Sequence, residues 1–120
     1  MRFLLGVPRP TPETRASVDG AITWLAAHRL TGIRVVRKPT PGAIKDYDVV
    51  VETDPAAPPT WARLYELGTG RPLFVGRDAI PKYRLADIEQ ERRAGYAWYT
   101  DRPRSLLERD YPRWQQNAGK

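Results

Sequence analysis

Residues 61–78, WARLYELGTGRPLFVGRD, contain two apolar-rich arms on either side of Gly68-Thr69-Gly70. Glycine tolerates the positive φ angles that a tight turn needs, so this stretch is typical of a β-hairpin. If the arms pair without a bulge and the numbers of opposed residues sum to an even value, Arg63 and Arg77 lie on one face. At a sum of 140 they stand directly opposite, with Cβ atoms roughly 5 Å apart, where like charges destabilise a sheet.

This arginine pair predicts a nearby negative charge. Arg71, closer to the turn, would add to the same cationic face. An acid of the chain could neutralise the pair, and the candidates are Glu52, Glu66 and Asp78. An external anion is the functional alternative. An odd register or a bulge would place Arg63 and Arg77 on opposite faces and remove the argument.

A helix is expected before the hairpin, beginning at Thr11-Pro12-Glu13. A capping hydroxyl, a proline in the first helical position and an acid in the first turn are typical of a helix start. Apolar residues then recur at helical spacing, at Val18, Ala21, Ile22 and Leu25. Gly32 is predicted to end this helix as a left-handed cap.

The rest of the chain completes an α+β fold class, a small single domain over residues 1–120. Ile33–Lys38 and Asp48–Glu52 are strand candidates, because they are rich in β-branched residues. A second helix is expected from Leu85 to Gly95, with acids early and bases late. A last short helix is expected around Ser105 to Arg109 or around Tyr111 to Gln116. The prediction is therefore two main helices, a hairpin and one or two further short strands.

The charge of the chain favours an anionic partner. Twenty Lys and Arg against fourteen Asp and Glu give +6, and sixteen of the twenty cations are arginine. The excess is concentrated in residues 1–39, at +5, and 61–84, at +3. Arginine binds carboxylates and phosphates through paired hydrogen bonds. A basic surface that only keeps the protein in solution is the competing interpretation.

Composition excludes several kinds of site. The chain has no cysteine and a single histidine, His28, so disulfides, thiolate zinc sites and multi-histidine metal sites are excluded. Neither a signal peptide nor a membrane span is visible in the sequence. Asp46, Asp48, Glu52 and Asp54 could attract calcium, but without EF-hand spacing a solvated edge is favoured. Most tyrosines and tryptophans are expected in the core, with Tyr83 moved towards the surface by its charged neighbours.

A family resemblance rests on residues 61–99, WARLYELGTGRPLFVGRDAIPKYRLADIEQERRAGYAWY. This stretch resembles the C-terminal part of the pectate lyases of polysaccharide lyase family ten. The similarity extends back through Thr11-Pro12-Glu13 and Gly32-Ile33-Arg34, and forward to Tyr111-Pro112-Arg113-Trp114. It implies a piece of a largely α-helical toroid that cleaves polygalacturonate by β-elimination. In that family calcium is held by aspartates and an arginine serves as the base.

The resemblance covers only the last third or so of that catalytic domain. The catalytic arginine and the calcium-binding aspartates lie upstream of the matching part and have no counterpart here. We therefore expect no enzyme activity and no cofactor, with calcium entering only through the ligand. Arg63 and Arg77 match positions that contact the uronate chain. The further ligand-binding candidates are Arg71, Lys82, Tyr83 and Arg84, with Arg92 weaker because it is also explained as a helix-end cation.

Two residues depart from the family pattern. Ala79 stands where the family often has glycine, and Arg84 where a small polar helix cap is usual. The charge of Arg84 adds to the proposed binding surface, at a cost in capping of up to about 1 kcal/mol.

The resulting hypothesis is a non-catalytic carbohydrate-binding module that recognises polygalacturonate. It implies an acidic polysaccharide partner, an extracellular location within a larger multidomain enzyme, and neither nucleic acid nor membrane as partner. One alternative is a fragment that belongs to, or retains the activity of, a calcium-dependent pectate lyase. The second alternative is a basic nucleic-acid-binding module, which the charge and the aromatic residues allow although no zinc-finger, ribonucleoprotein or basic-zipper signature is present.

Overall fold

The computed structural model describes residues 2–7 and 9–118, which form two compact units. The helical unit comprises the described part of residues 1–29 and 101–120, and the strand-rich unit comprises residues 30–100. The architecture is α+β, as expected. The expectation of one domain over residues 1–120 stays a prediction. None of the helices in the described residues has the length and apolar character needed to cross a bilayer.

In chain order the labelled elements are α1 (Arg2–Leu5), α2 (Pro12–Ala27), β1 (Ile33–Pro39), β2 (Tyr47–Thr53), β3 (Trp61–Ala62), β4 (Leu64–Tyr65), β5 (Pro72–Val75), β6 (Pro81–Lys82), α3 (Gln90–Gly95), β7 (Tyr99–Thr100), α4 (Arg102–Ser105) and α5 (Tyr111–Ala118). A wider π-type turn, Leu106–Asp110, joins α4 to α5. The last helical segment is therefore longer than the sequence predicts.

Helix α2 begins as predicted but ends early. Thr11 is the N-cap, and its hydroxyl accepts a hydrogen bond of 3.1 Å from the backbone N–H of Thr14. The helix stops at Ala27 with His28 as the C-cap, so the predicted end at Gly32 is wrong. Pairing explains the early end, because Leu30 and Thr60 exchange backbone hydrogen bonds of 2.7 and 3.0 Å. Gly32, at φ +76°, instead turns the chain into β1.

The core of the helical unit joins α2 to the C-terminal helical segment. Its buried residues are Val18, Ile22, Leu106 and Trp114. At the edge of this core, the Tyr111 hydroxyl donates a hydrogen bond of 2.6 Å to Asp19. The apolar stripe read from the sequence of α2 is thus the face that packs.

The strand-rich unit begins with the two predicted strands, which pair as a two-stranded ribbon. β1 and β2 are antiparallel, with Arg37 opposite Val49 and Pro39 opposite Tyr47. The turn between them contains Gly42 at φ +88°. Strand alternation therefore puts Arg37 and Tyr47 on the same face of the ribbon.

The predicted hairpin forms, but in a different register. Leu64 pairs with Leu73 and Tyr65 with Pro72, which is an odd sum. The direct opposition of Arg63 and Arg77 is therefore wrong. Only part of the first arm pairs with the second arm: β4 pairs with β5, whereas β3 pairs with β7 in another sheet. β6, too short to read from sequence, adds a third strand beside β5.

The predicted helix from Leu85 to Gly95 is interrupted. A 3-10 turn covers Leu85–Asp87, Ile88 and Glu89 are extended, and only then does α3 begin. Leu85 and Ile88 both pack into the core of this unit with Phe74 and Trp98.

Candidate functional site

Arg63 lies between β3 and β4, where the chain changes from one sheet to another. Its backbone N–H donates a hydrogen bond of 2.8 Å to the carbonyl of Trp98. This bond fixes Arg63 beside the segment that follows α3. The tertiary structure thereby brings Arg63 next to Tyr96 and Arg92 rather than next to Arg77.

Tyr96 carries two guanidinium groups against its ring. The Cζ atoms of Arg63 and Arg92 each lie 5.5 Å from the ring centroid, within cation–π range. Arg92 also donates a hydrogen bond of 3.0 Å to the Tyr96 hydroxyl. The Tyr96 side chain is 46% exposed. We call Arg63, Arg92 and Tyr96 the arginine–tyrosine platform.

The two arginines of the platform keep their charge available. Within the described residues, neither Arg63 nor Arg92 has an ion-pair partner. The pKa of Glu89 is lowered, chiefly by backbone N–H groups of Glu89 and Arg77, with a smaller contribution from Arg92. A guanidinium group held on an aromatic ring retains N–H donors that suit a carboxylate.

A second arginine–tyrosine contact lies at the tip of the hairpin. The Cζ of Arg71 is 3.6 Å from the ring centroid of Tyr83. The Tyr83 hydroxyl donates a hydrogen bond of 2.7 Å to Glu66, whose carboxylate also accepts one from Thr69. These two bonds hold the pKa of Glu66 below its usual value, and Glu66 in turn raises the pKa of Tyr83. The predicted surface position of Tyr83 is confirmed, and a carboxylate already lies beside Arg71.

Arg77 and Lys82 are each paired with an acid. The side chain of Arg77 forms an ion pair with Glu91. Lys82 Nζ lies 2.8 Å from Asp78 Oδ2, which holds the pKa of that carboxyl below its usual value. Arg77 is thus neutralised within the chain, but by Glu91 and not by the predicted candidates, since Glu52 pairs with Arg34, Glu66 accepts a hydrogen bond from Tyr83 and Asp78 pairs with Lys82.

Arg84 lines a cleft of about 520 Å³ in the strand-rich unit, together with Tyr83. It precedes the 3-10 turn and its side chain makes no capping hydrogen bond. Within the described residues Arg84 has no ion-pair partner. Arg84, which stands where the family usually has a small polar cap, thus adds an exposed cation without an ion pair among the described residues.

The acids considered for calcium have other partners. Arg93 binds both carboxylate oxygens of Asp48, and Arg34 lies 2.9 Å from Glu52 and 3.9 Å from Asp54. Among the described residues, no group of three or more His, Cys, Asp or Glu side chains is placed to hold a metal ion. Asp48, Glu52 and Asp54 therefore lie against arginines of the same chain.

Tyr96 is the member of the platform that the sequence does not single out. From the sequence, Tyr96 is expected in the core with most of the other tyrosines and tryptophans. Trp98 is 6% exposed and Tyr96 46%. The end of α3 at Gly95 is predicted from the sequence, but the exposure of Tyr96 directly after it is not.

Comparisons with known proteins agree on the family and the fold. The pectic acid lyase family model matches residues 1–107. A mutant of the family 10 polysaccharide lyase from Cellvibrio cellulosa, in complex with trigalacturonic acid, superposes with a TM-score of 0.68 and 24% identity over 98% of this chain. Another structure of the Cellvibrio cellulosa family 10 polysaccharide lyase gives a TM-score of 0.63 and 25% identity over 91% of this chain.

The chain spans 33% and 31% of the length of those two solved structures. No curated protein matches the chain.

Proposed function

Because this chain belongs to the pectic acid lyase family, we propose that it binds polygalacturonate as a non-catalytic carbohydrate-binding module. The observation that carries the proposal is the platform, in which Arg63 and Arg92 flank the exposed ring of Tyr96. Neither arginine has an ion-pair partner within the described residues. The platform therefore offers two cations and one aromatic face to a ligand.

The chemistry of the polymer suits this arrangement. Each galacturonate residue carries one carboxylate, and a guanidinium group can bind it through two parallel hydrogen bonds. Each such contact contributes about 1.5 to 3 kcal/mol. Tyr96 adds an apolar surface for the sugar ring between the two cations. Repetition of the same residue along the polymer strengthens attachment by raising the effective concentration of the next contact.

The other predicted ligand residues make secondary contributions in this proposal. Arg84 is free of ion pairs among the described residues, and Arg71 shares Tyr83 with Glu66. Arg77 and Lys82 must exchange Glu91 and Asp78 for a ligand carboxylate. A ligand carboxylate that replaces an existing ion pair gains less free energy than one that binds an unpaired cation, because the ion pair must be broken first. The platform is thus the leading contact in this proposal, and two of its residues, Arg63 and the weaker candidate Arg92, are also ligand-binding candidates from the sequence.

The non-catalytic part of the proposal rests on the family resemblance. In the pectate lyases that this chain resembles, the catalytic arginine and the calcium-binding aspartates lie upstream of the matching segment. An arginine, with a pKa above about 12, acts as a base only in a strongly perturbed site. Under this proposal the module works outside the cell as part of a larger enzyme, where it holds the polymer. Neither nucleic acid nor membrane is its partner, and calcium takes part only as a counterion of the ligand.

Affinity electrophoresis tests the proposal. The wild-type protein should migrate more slowly in a native gel that contains polygalacturonate than in a gel without polymer. Arg63→Ala and Arg92→Ala should each remove most of the retardation. Arg113→Ala, which removes the same charge from an exposed position in the helical unit, is the matched control and should be retarded like the wild type. Unretarded migration of the wild type at low salt overturns the proposal.

Family membership favours one second candidate, calcium-dependent pectate lyase activity. β-Elimination produces unsaturated uronates that absorb in the ultraviolet. Incubation of the protein with polygalacturonate and calcium separates the two candidates. A rise in absorbance that a chelator blocks assigns the lyase activity, and a flat trace with gel retardation assigns the binding module.

A further inference from the structure

A second groove, of about 290 Å³, lies next to the platform. It is formed by one face of the β1–β2 ribbon and by the segment that ends α3 and leads into β7. Tyr96, the central residue of the platform, is part of its lining. The volume is close to the lower end, about 300 Å³, of small-molecule sites, which suits a single sugar ring.

Two cations enter this groove from the ribbon. Arg37 lies on β1 and Lys45 in the turn before β2, and both are exposed. The Cζ of Arg37 is 4.9 Å from the ring centroid of Tyr47, its diagonal neighbour across the two strands. The groove thus repeats the composition of the platform, with cations held beside an aromatic ring.

The frame around Lys45 is held in place by α3. The side-chain amide of Gln90 donates hydrogen bonds of 3.0 Å to the Ile44 carbonyl and 2.9 Å to the Tyr47 carbonyl. Lys45 and Asp46 have φ angles of +64° and +57°, a left-handed backbone that costs non-glycine residues roughly 1 to 2 kcal/mol each. The surrounding contacts therefore maintain an unfavourable backbone that presents Lys45 at the groove.

The charges of the groove are not neutralised. The lining contains no aspartate or glutamate, and within the described residues neither Arg37 nor Lys45 has an ion-pair partner. The opposite face of the same ribbon differs, since Arg34 lies 2.9 Å from Glu52. Arg34 on one face of β1 is thus paired with an acid, whereas Arg37 on the other face has no ion-pair partner within the part of the chain that the structure describes.

We propose that this groove is a second carboxylate subsite, which binds a neighbouring uronate residue of the same polymer through Arg37 and Lys45. The inference rests on the proposed function, because it extends the polygalacturonate site beyond the platform. Tyr96 joins the two subsites, since its ring contacts Arg63 and Arg92 and also lines the groove. The site should then bind more than one galacturonate residue of the polymer.

Calorimetric titration with galacturonate oligomers of increasing length tests the second subsite. The wild-type affinity should rise with length until both subsites are filled. Arg37→Gln and Lys45→Gln should each lower the affinity for the longest oligomer about tenfold or more, the loss of one charge-assisted contact, while leaving the shortest bound oligomer unaffected. Arg37→Lys keeps the charge but loses the paired hydrogen bonds, so it should lower the affinity less than Arg37→Gln does. Arg34→Gln, on the opposite face of β1, should bind every oligomer like the wild type.

The outcomes separate the two proposals. Failure of the wild type to bind any oligomer overturns the proposed function together with the subsite. Wild-type binding that Arg37→Gln and Lys45→Gln leave unchanged at every length overturns the subsite alone. A loss of affinity in these variants for a DNA oligonucleotide but not for the oligomers also overturns it and assigns the groove to nucleic acid. Lys45→Gln lies in an exposed turn, so it remains informative if Arg37→Gln proves unstable.

Discussion

Arg93 on α3 holds Asp48 on β2 through two hydrogen bonds of 2.9 Å each, from Nε to Oδ1 and from Nη2 to Oδ2. The side chains are 19% and 21% exposed. Arg93 also donates a hydrogen bond to the carbonyl of Ile88. This one side chain therefore links the ribbon, the break before α3 and α3 itself, the same elements that frame the second groove.

Asp48→Asn should lower the free energy of unfolding of the strand-rich unit at neutral pH by about 1.5 to 3 kcal/mol, because it removes a charge-assisted pair and leaves a half-buried guanidinium group. Urea denaturation, with amide hydrogen exchange in the strand-rich unit as the readout, measures this loss of unfolding free energy. Asp87→Asn, at an exposed position without an ion pair among the described residues, is the matched control. An equal loss in both variants would show that the pair contributes nothing specific.

The same pair predicts a pH dependence. Hydrogen bonds from Arg93 hold the pKa of Asp48 below its usual value. A carboxyl with a lowered folded-state pKa adds stability above the unfolded value, about 3.9, and loses it as pH falls through the folded value. The difference in unfolding free energy between wild type and Asp48→Asn should be constant above about pH 5 and shrink towards about pH 2. A difference that persists at the acid end contradicts this account.

Gly76→Ala should lower the midpoint temperature of unfolding. A Cβ atom at Gly76 would lie 2.1 Å from Glu89 Oε2, while Oε1 of the same carboxylate accepts a hydrogen bond of 2.9 Å from the backbone N–H of Arg77. The carboxylate must move and the bond is lost. In a double-mutant cycle, Glu89→Ala should cost much less in the Gly76→Ala background than in the wild type. Additive effects would show that the two sites are independent.

Ala79→Gly should stabilise the protein. Ala79 has φ +61°, a left-handed backbone that costs a non-glycine residue roughly 1 to 2 kcal/mol. Glycine removes this cost but gains conformational freedom in the unfolded chain, worth about 0.4 to 1 kcal/mol in the opposite direction. The expected net gain is about 0.5 to 1 kcal/mol, measured by thermal denaturation. A loss of stability would mean that the methyl group makes a compensating contact.

Tyr96→Ala should weaken binding of polygalacturonate about two- to tenfold, the range expected from about 0.5 to 1.5 kcal/mol of aromatic contact. Tyr96→Phe keeps the ring and loses only the hydroxyl that accepts a hydrogen bond from Arg92. It should bind nearly as well as the wild type. If both variants bind equally weakly, the hydroxyl rather than the ring face is the part that matters.

Salt should weaken binding strongly. Screening shortens the Debye length from about 10 Å at 0.1 M to about 3 Å at 1 M, so exposed guanidinium–carboxylate contacts lose most of their attraction. Retardation in the polygalacturonate gel should decrease steadily with added sodium chloride. Fully methyl-esterified pectin, which lacks the carboxylates, should not retard the protein even at low salt. Retardation by the neutral polymer would assign the binding to aromatic stacking instead.

Local signals explain which elements the sequence predicts well. Thr11 and Pro12 start α2 as expected, because capping depends on adjacent residues. Gly68 and Gly70 adopt the positive φ angles that predict the hairpin turn. The register of that hairpin is set by distant groups, since Trp61 and Ala62 pair with residues close to position 100. The residues of the turn therefore cannot reveal the register, because it depends on pairing with a distant part of the sequence.

The sequence by itself determined the α+β class of this protein, the start of α2, the strands β1 and β2, the hairpin turn and the excess of arginine. These depend on local backbone preference and on net charge. Only the tertiary structure decided which cations are free, because ion pairing depends on acids far away in the chain. In the folded protein Arg77 forms an ion pair with Glu91, whereas Arg63 and Arg92 both lie against the ring of Tyr96.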